Sequence, residues 1–183
     1  MVATQISVLL LLVFSVRSSA FWTRMMPKMT ETKLTFYMQD WETGKNPTAV
    51  PVAGTNVAGP KLLNFGTIMA IDDALTEGPN RGSKQIGRAH GIYVTSSLNG
   101  LDFHLLFSVV FTDDKYNGSS LEIQGSDRAL LKQREVSVVS GTGHFRFAKG
   151  FATLETAYLD VKDLNAVIKF NITVVHLSHT GHH

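Results

Sequence analysis

The 183-residue chain contains no cysteine. That single absence excludes a disulfide framework, a thiolate zinc site, an iron–sulfur cluster and a cysteine nucleophile together. Charge is also sparse: charged residues make up 17% of the chain, and 17 basic side chains stand against 15 acidic ones. The pI near 8.9 therefore reflects a marginal excess of base and does not imply nucleic acid as a partner. From Lys33 onward there is no helical apolar stripe of useful length, no internal repeat and no low-complexity segment. What is present in quantity is apolar: 44% hydrophobic residues, with 15 glycines and 11 phenylalanines. Such a composition argues against a disordered chain and favours strands and turns.

The longest apolar run, Ile6 to Val16, is too short to cross a bilayer, which takes about 20 residues. Ser18 and Ala20 supply the small side chains a signal peptidase needs, so residues 1–20 are expected to be a secretion leader cut after Ala20. Met1 to Gln5 lacks the usual basic side chain, and a membrane anchor or a buried N-terminal helix is the alternative. Two N-x-S/T sequons, at Asn117 and Asn171, agree with export and with glycosylation at those positions. Residues 21–32 read as a flexible N-terminal tail, 33–178 as one domain and 179–183 as a His-rich C-terminal tail.

The domain reads as eight strands: Leu34–Asp40, Phe65–Asp72, Gln85–Thr95, Phe103–Thr112, Ser119–Ser126, Lys132–Val139, Gly150–Leu159 and Ala166–Leu177. Turn chemistry separates them, at Asn99-Gly100, Asn117-Gly118 and Gly141-Thr142-Gly143, while 43–59 and 74–83 read as loops. Short strands with hairpin signals point to an all-β fold, an antiparallel barrel or sandwich. An eight-stranded antiparallel β-barrel has no open edge and has room for one small ligand.

Alternate strand residues share a face. Counting by two from Leu34, Phe36 and Met38 reaches Asp40; from Leu121 and Ile123, through Gly125, it reaches Asp127; and Arg134 shares a side with Val136 and Val138. A buried charge is costly unless it is paired or meets a polar ligand, and desolvation can hold an Asp in its protonated, proton-donating form. Three placements account for these residues: a ligand site, strand ends wetted by solvent, or a structural Asp–Arg pair between neighbouring strands. Gly87, Ala89, Gly91, Tyr93 and Thr95 form a second face, small residues ending in a phenol; it marks either lumen space or a bend in the barrel wall. In the last strand Ala166, Ile168, Phe170, Ile172 and Val174 lie on one side, and Lys169, Asn171 and Thr173 on the other.

Other combinations carry less. His176, His179, His182 and His183 read as surface histidines of a flexible terminus, not as a metal site. The pairs Asp72-Asp73 and Asp113-Asp114 read as solvated strand ends. No nucleophile elbow surrounds any serine.

The run Leu34-Thr35-Phe36-Tyr37-Met38-Gln39-Asp40 resembles the opening strand of the plant dirigent proteins. Phe65-Gly66-Thr67 with Asp72-Asp73-Ala74-Leu75-Thr76-Glu77-Gly78-Pro79 is similar to the family's second strand and loop, and residues 83–93, SKQIGRAHGIY, to its most recognisable signature. Tyr116-Asn117-Gly118-Ser119, Gly125-Ser126-Asp127, Arg134-Glu135 and residues 140–150, SGTGHFRFAKG, follow in family order. The resemblance implies a secreted, homotrimeric eight-stranded barrel of the plant cell wall space. It implies binding of phenolic radicals or quinone methides and control of the stereochemistry of their coupling. A separate oxidase, a laccase or peroxidase, would supply the radicals, and the protein itself would need no cofactor and no metal. It also implies roles for Asp40, Asp127, Arg134 and Tyr93 at the reacting oxygen. By alternation alone, Phe36, Phe107, Val109 and Ile172 are expected as pocket walls. Thr95 stands where lignan-forming members typically carry a second tyrosine, and those members usually carry a cysteine pair that is absent here. The chain is therefore more similar to the branch holding pterocarpan synthases and gossypol-coupling proteins. A lyase acting through a quinone methide, and a non-catalytic organiser of lignin, are the alternative functions.

Overall fold

The computed structural model describes residues 27–54, 61–113 and 115–178. The expected leader, the first part of the expected N-terminal tail, and His179, His182 and His183 lie outside these residues. Among the described residues nine strands follow in order: β1 (Met29–Asp40), β2 (Ala49–Ala53), β3 (Ile68–Thr76), β4 (Gln85–Thr95), β5 (Asp102–Phe111), β6 (Ser120–Arg128), β7 (Arg134–Thr142), β8 (Lys149–Asp160) and β9 (Asn165–Leu177). Two short 3-10 turns, Lys61–Leu63 and Gly143–Phe145, are the only helical segments among the described residues.

All pairings are antiparallel, and from β3 to β9 each strand pairs with the next. β9 pairs with β1 over the whole of β1, and β1 closes the ring on β3 through Tyr37–Gln39 against Ala74–Thr76. Eight strands thus form a closed barrel. The ninth, β2, lies outside the ring on the edge of β3 that β1 leaves free, with Ala49 opposite Ile71. β3 therefore divides one edge between two partners.

Four features depart from the sequence expectation. Residues 29–32, expected in the tail, are strand: Met29 to Thr32 pair with Leu177 to Val174. β2 was expected to be loop; its side chains after Ala49 are exposed and Pro51 interrupts it, so it has no alternation to detect. β3 begins at Ile68 and runs to Thr76, so Asp72 and Asp73 are interior to a strand and do not end one. His176 is not a surface histidine. It is 1% exposed, and its ring lies 2.9 Å from both the Thr32 hydroxyl and the Leu177 carbonyl.

The core is the inward face of the ring. Phe36 stacks on Phe170 with ring centres 5.5 Å apart, and Phe107 meets Phe170 edge-on at 6.1 Å. Gly91 and Gly87 sit opposite Phe107 and Phe111 of β5. A Cβ on Gly91 would lie 2.5 Å from the Leu106 carbonyl oxygen, so this glycine permits close approach of two backbones. The row of small residues is thus a tight contact between β4 and β5, not vacant lumen. One end of the barrel is filled by Phe111, Tyr116 and Phe145, with ring centres 4.9–5.5 Å apart, and His144 and His176 pack against that group. The chemistry lies at the opposite end.

Candidate functional site

β1, β4 and β6 run out at this second end, and β5, β7 and β9 begin there. Near the ends of the outgoing strands the inward positions carry Asp40, Tyr93 and Asp127, with Thr95 one inward step beyond Tyr93, and the first of β7 carries Arg134. All four candidates therefore sit at one mouth of the barrel, inside the wall, as alternation requires. β1 and β6 are four strands apart around a ring of eight, so Asp40 and Asp127 stand on opposite walls.

The Asp40 wall is a cluster of acids. The Tyr93 hydroxyl donates to Asp40 Oδ2 across 3.4 Å, a long hydrogen bond, while Asp40 Oδ1 reaches neither solvent nor a partner. Burial pushes the Asp40 carboxyl up to about 7, with the Tyr93 hydroxyl pulling the other way. Glu42, two residues beyond the strand, is half-buried with Oε1 unpartnered; burial first, and the Asp40 charge second, push its carboxyl up to about 8. Asp73 on β3 is 0% exposed, and neither of its carboxyl oxygens has a hydrogen-bond partner. Burial, and after it the Asp40 charge, push Asp73 up to about 9. The Tyr93 phenol is raised well above its ordinary value, by burial and then by these same acids. Desolvation that outweighs the few groups pulling the other way is the common cause, and it keeps acid protons available at neutral pH.

The opposite wall is built differently. β6 and β7 stop pairing after Gln124 and Ser137, short of the mouth. Across the parted strands Arg134 Nε donates to Asp127 Oδ1 at 2.7 Å, and Arg134 Nη1 donates to the Thr156 hydroxyl at 2.7 Å. The Arg134 and Asp127 side chains are 2% and 10% exposed, so this is a buried ion pair, as the structural alternative from sequence requires. Even so, burial outweighs Arg134 and leaves the Asp127 carboxyl raised. Phe103 spans the two walls: it pairs with Asp127 across β5 and β6, and its ring meets Tyr93 edge-on at 5.9 Å.

Phe36, Phe107, Val109 and Ile172 all face inward and are 0–4% exposed, packed among other core side chains. Phe103, which alternation did not single out, is the half-buried aromatic at the mouth. Thr95 is fully buried and donates to the Leu62 carbonyl, tying the 3-10 turn at Lys61–Leu63 to the end of β4. Asp73 and Glu42 are the acids that sequence reasoning missed. Met69, Ile71, Asp73 and Leu75 share one face, so the rule that found Asp40 also finds Asp73 once β3 is framed correctly. Asp72 points outward to Arg88 and His90. Among the described residues no cluster of His, Asp and Glu has the arrangement to hold a metal ion. Asn117 is exposed in the turn before β6; Asn171 lies within β9 and accepts a hydrogen bond from the Thr35 hydroxyl at 3.0 Å.

The profile of the dirigent-like protein family matches residues 31–175, nearly all of the barrel. Dirigent protein 1 of Arabidopsis thaliana is 39% identical over 145 residues, covering 79% of each chain. Pterocarpan synthase 1 of Glycine max is 33% identical over 172 residues, covering 90% of this chain and 92% of its own. A solved pterocarpan synthase dirigent protein superimposes with a TM-score of 0.80 at 35% identity, covering 85% of this chain and 96% of the other.

Proposed function

Since the chain belongs to the dirigent-like protein family, we propose that it holds a flat phenolic electrophile in the barrel mouth and fixes the stereochemistry of its reaction. Phenoxy-radical coupling is the first reading: a separate laccase or peroxidase makes the radicals, and this protein orients them. The observation that carries it is the pair of unlike walls, protonatable acids around Asp40 facing the Asp127–Arg134 ion pair.

The chemistry follows from the acids. When two phenoxy radicals join, a carbon–carbon bond forms and the rings become quinone methides. Protonation of a quinone-methide oxygen by Asp40 makes the exocyclic carbon more electrophilic, while the Asp127–Arg134 pair orients the ring from the opposite wall. A hydroxyl then adds to that carbon, its proton returns to the carboxylate, and the phenol is restored. Phe103 and Tyr93 give the ring a surface to lie against, and the polar groups set its orientation. Stereoselectivity needs only unequal barriers for the two faces: a difference of ~1.4 kcal/mol favours one product tenfold.

Likeness to pterocarpan synthases supports a second reading, a lyase. There the acid protonates a leaving benzylic hydroxyl, water departs, the phenolic proton is lost, and the resulting quinone methide is closed by an internal hydroxyl. The net change is loss of water, with no oxidant. Incubating the protein with hydroxylated isoflavan precursors without oxidant, and with monolignols plus an oxidase, separates the two. Enriched dimer only with oxidase supports coupling; ring-closed product without oxidant supports the lyase. Export through the 1–20 leader, homotrimer formation and a glycan at Asn117 complete the proposal, the last supported by the exposure of Asn117 in a turn.

A further inference from the structure

Asp73 has no place in the chemistry above, yet it is the most completely buried acid at the mouth. β1 and β3 pair through Gln39 and Ala74, and one further step sets Asp40 beside Asp73, both on the inward face. Asp73 is 0% exposed and both of its oxygens lack a partner. Asp40 likewise has one buried oxygen, Oδ1, without a donor, while Tyr93 serves the other. Two neighbouring buried carboxyl groups with unfilled hydrogen-bonding capacity cannot both carry charge cheaply.

We propose that Asp73 is a permanently neutral carboxylic acid whose O–H donates to Asp40 Oδ1 once Asp40 has given its proton to the substrate, making it a positioning residue for the acid. The inference rests on the role proposed for Asp40. A carboxylate accepting two donors, Tyr93 on Oδ2 and Asp73 on Oδ1, is a weaker base than one accepting a single donor. Asp73 thereby makes Asp40 a readier acid without touching the substrate. Of the groups facing Asp73, the Asp40 carboxylate is the strongest acceptor for its proton. Asp40 on β1, Glu42 beyond it and Tyr93 on β4 are acids themselves, and adjacent Asp72 is committed to Arg88 and His90 on the outer face; the Thr48 hydroxyl, which donates to the Gln39 carbonyl at 3.2 Å, and the Arg88 charge each pull Asp73 downward without overcoming its burial. Burial first, and the Asp40 charge second, keep Asp73 protonated above neutrality against the opposing pull of the Thr48 hydroxyl and Arg88.

Infrared spectroscopy of the full chain reads this directly through the carbonyl stretch of protonated carboxyl groups. At neutral pH, Asp73→Asn should remove one such band while retaining an N–H donor toward Asp40. In Asp73→Leu, which has no donor, the titration midpoint of the Asp40 band should rise by about one pH unit or more, and in Asp73→Asn it should stay near the wild-type position. The pH–rate profile should show the same shift in its basic limb and the same rescue by asparagine. If Asp73→Asn removes no protonated-carboxyl band, or if Asp73→Leu leaves the Asp40 midpoint unmoved, the proposal falls. Should Asp73→Leu not fold, the Asn band and the unchanged Asp40 midpoint still decide it. The spectroscopic titration needs no substrate, so a wild-type protein with no stereoselectivity would overturn the role of Asp40 while leaving the pairing of the two acids separately measured.

Discussion

At the scale of single residues, the two walls of the mouth should respond differently to substitution. Asp40→Asn removes a raised acid and its proton but keeps the shape, so we expect a loss of rate or selectivity of about 10²-fold with no loss of stability, read by chiral chromatography and thermal melting of the same preparation. Arg134→Met strips the partner from Asp127, whose side chain is only 10% exposed. Leaving a buried carboxylate unpaired should cost about 3–5 kcal/mol, and Arg134→Met with Asp127→Leu should recover most of it; denaturant melts of the single and double variants measure both. A destabilisation of Arg134→Met below ~1 kcal/mol would mean that the ion pair does not hold the parted ends of β6 and β7 together. These residues were legible in sequence because a barrel strand enforces alternation, and an ionisable group on the apolar side stands out. Asp73 obeys the same rule but was hidden by Asp72, whose presence made the pair read as a solvated strand end. Glu42 follows no pattern, because it lies in a loop, and its burial comes from long-range closure that no local spacing encodes.

At the scale of elements, the barrel wall depends on how closely β4 and β5 approach. Gly91→Ala would place a Cβ 2.5 Å from the Leu106 carbonyl oxygen and 2.6 Å from Phe107 Cα, both backbone atoms that cannot move aside alone. We expect about 1–3 kcal/mol of destabilisation. Gly82→Ala, where nothing lies within 4 Å, should be neutral or stabilising by up to ~1 kcal/mol. Equal midpoints for the two variants in urea would contradict the close-approach account. Most strands were readable from β-rich runs between turns, because each presents apolar side chains to one interior. The exceptions have a physical reason. β2 has four exposed side chains out of five and serves only to cover the part of the β3 edge left by β1. The first residues of β1, Met-Thr-Glu-Thr, are held by backbone pairing to β9 and carry little apolar signal. His176 looked like part of a polar tail, yet its strand continues inward and it packs on Phe145.

At the scale of the whole molecule, burying Asp40, Glu42 and Asp73 together on one wall of the mouth makes stability depend on pH in an uncommon direction. Asp40, Glu42 and Asp73 bind protons in the folded state up to about 7, 8 and 9, against about 4 when unfolded. Across that window the folded chain holds more protons than the unfolded one, so stability is full below about pH 4 and declines as pH rises toward 9. We expect the melting temperature near pH 5.5 to exceed that near pH 8.5 by at least about 5 °C, taking about 2–4 °C per kcal/mol for a chain of this size, and the slope to flatten in Asp73→Asn. A melting temperature that rises across the same range would show these carboxyl groups to be ionised in the folded state. Barrel closure through β1 and β3 gives this acid mouth its walls, and the family resemblance gave it a use. The measurement that tests that use most directly is chiral chromatography of the products formed by an oxidase acting on a panel of monolignols, alone, with this protein, and with Asp40→Asn. Enantiomerically enriched dimer with the wild-type protein, and less enrichment with the variant, is the predicted result; racemic product in all three, for every phenol, would contradict it.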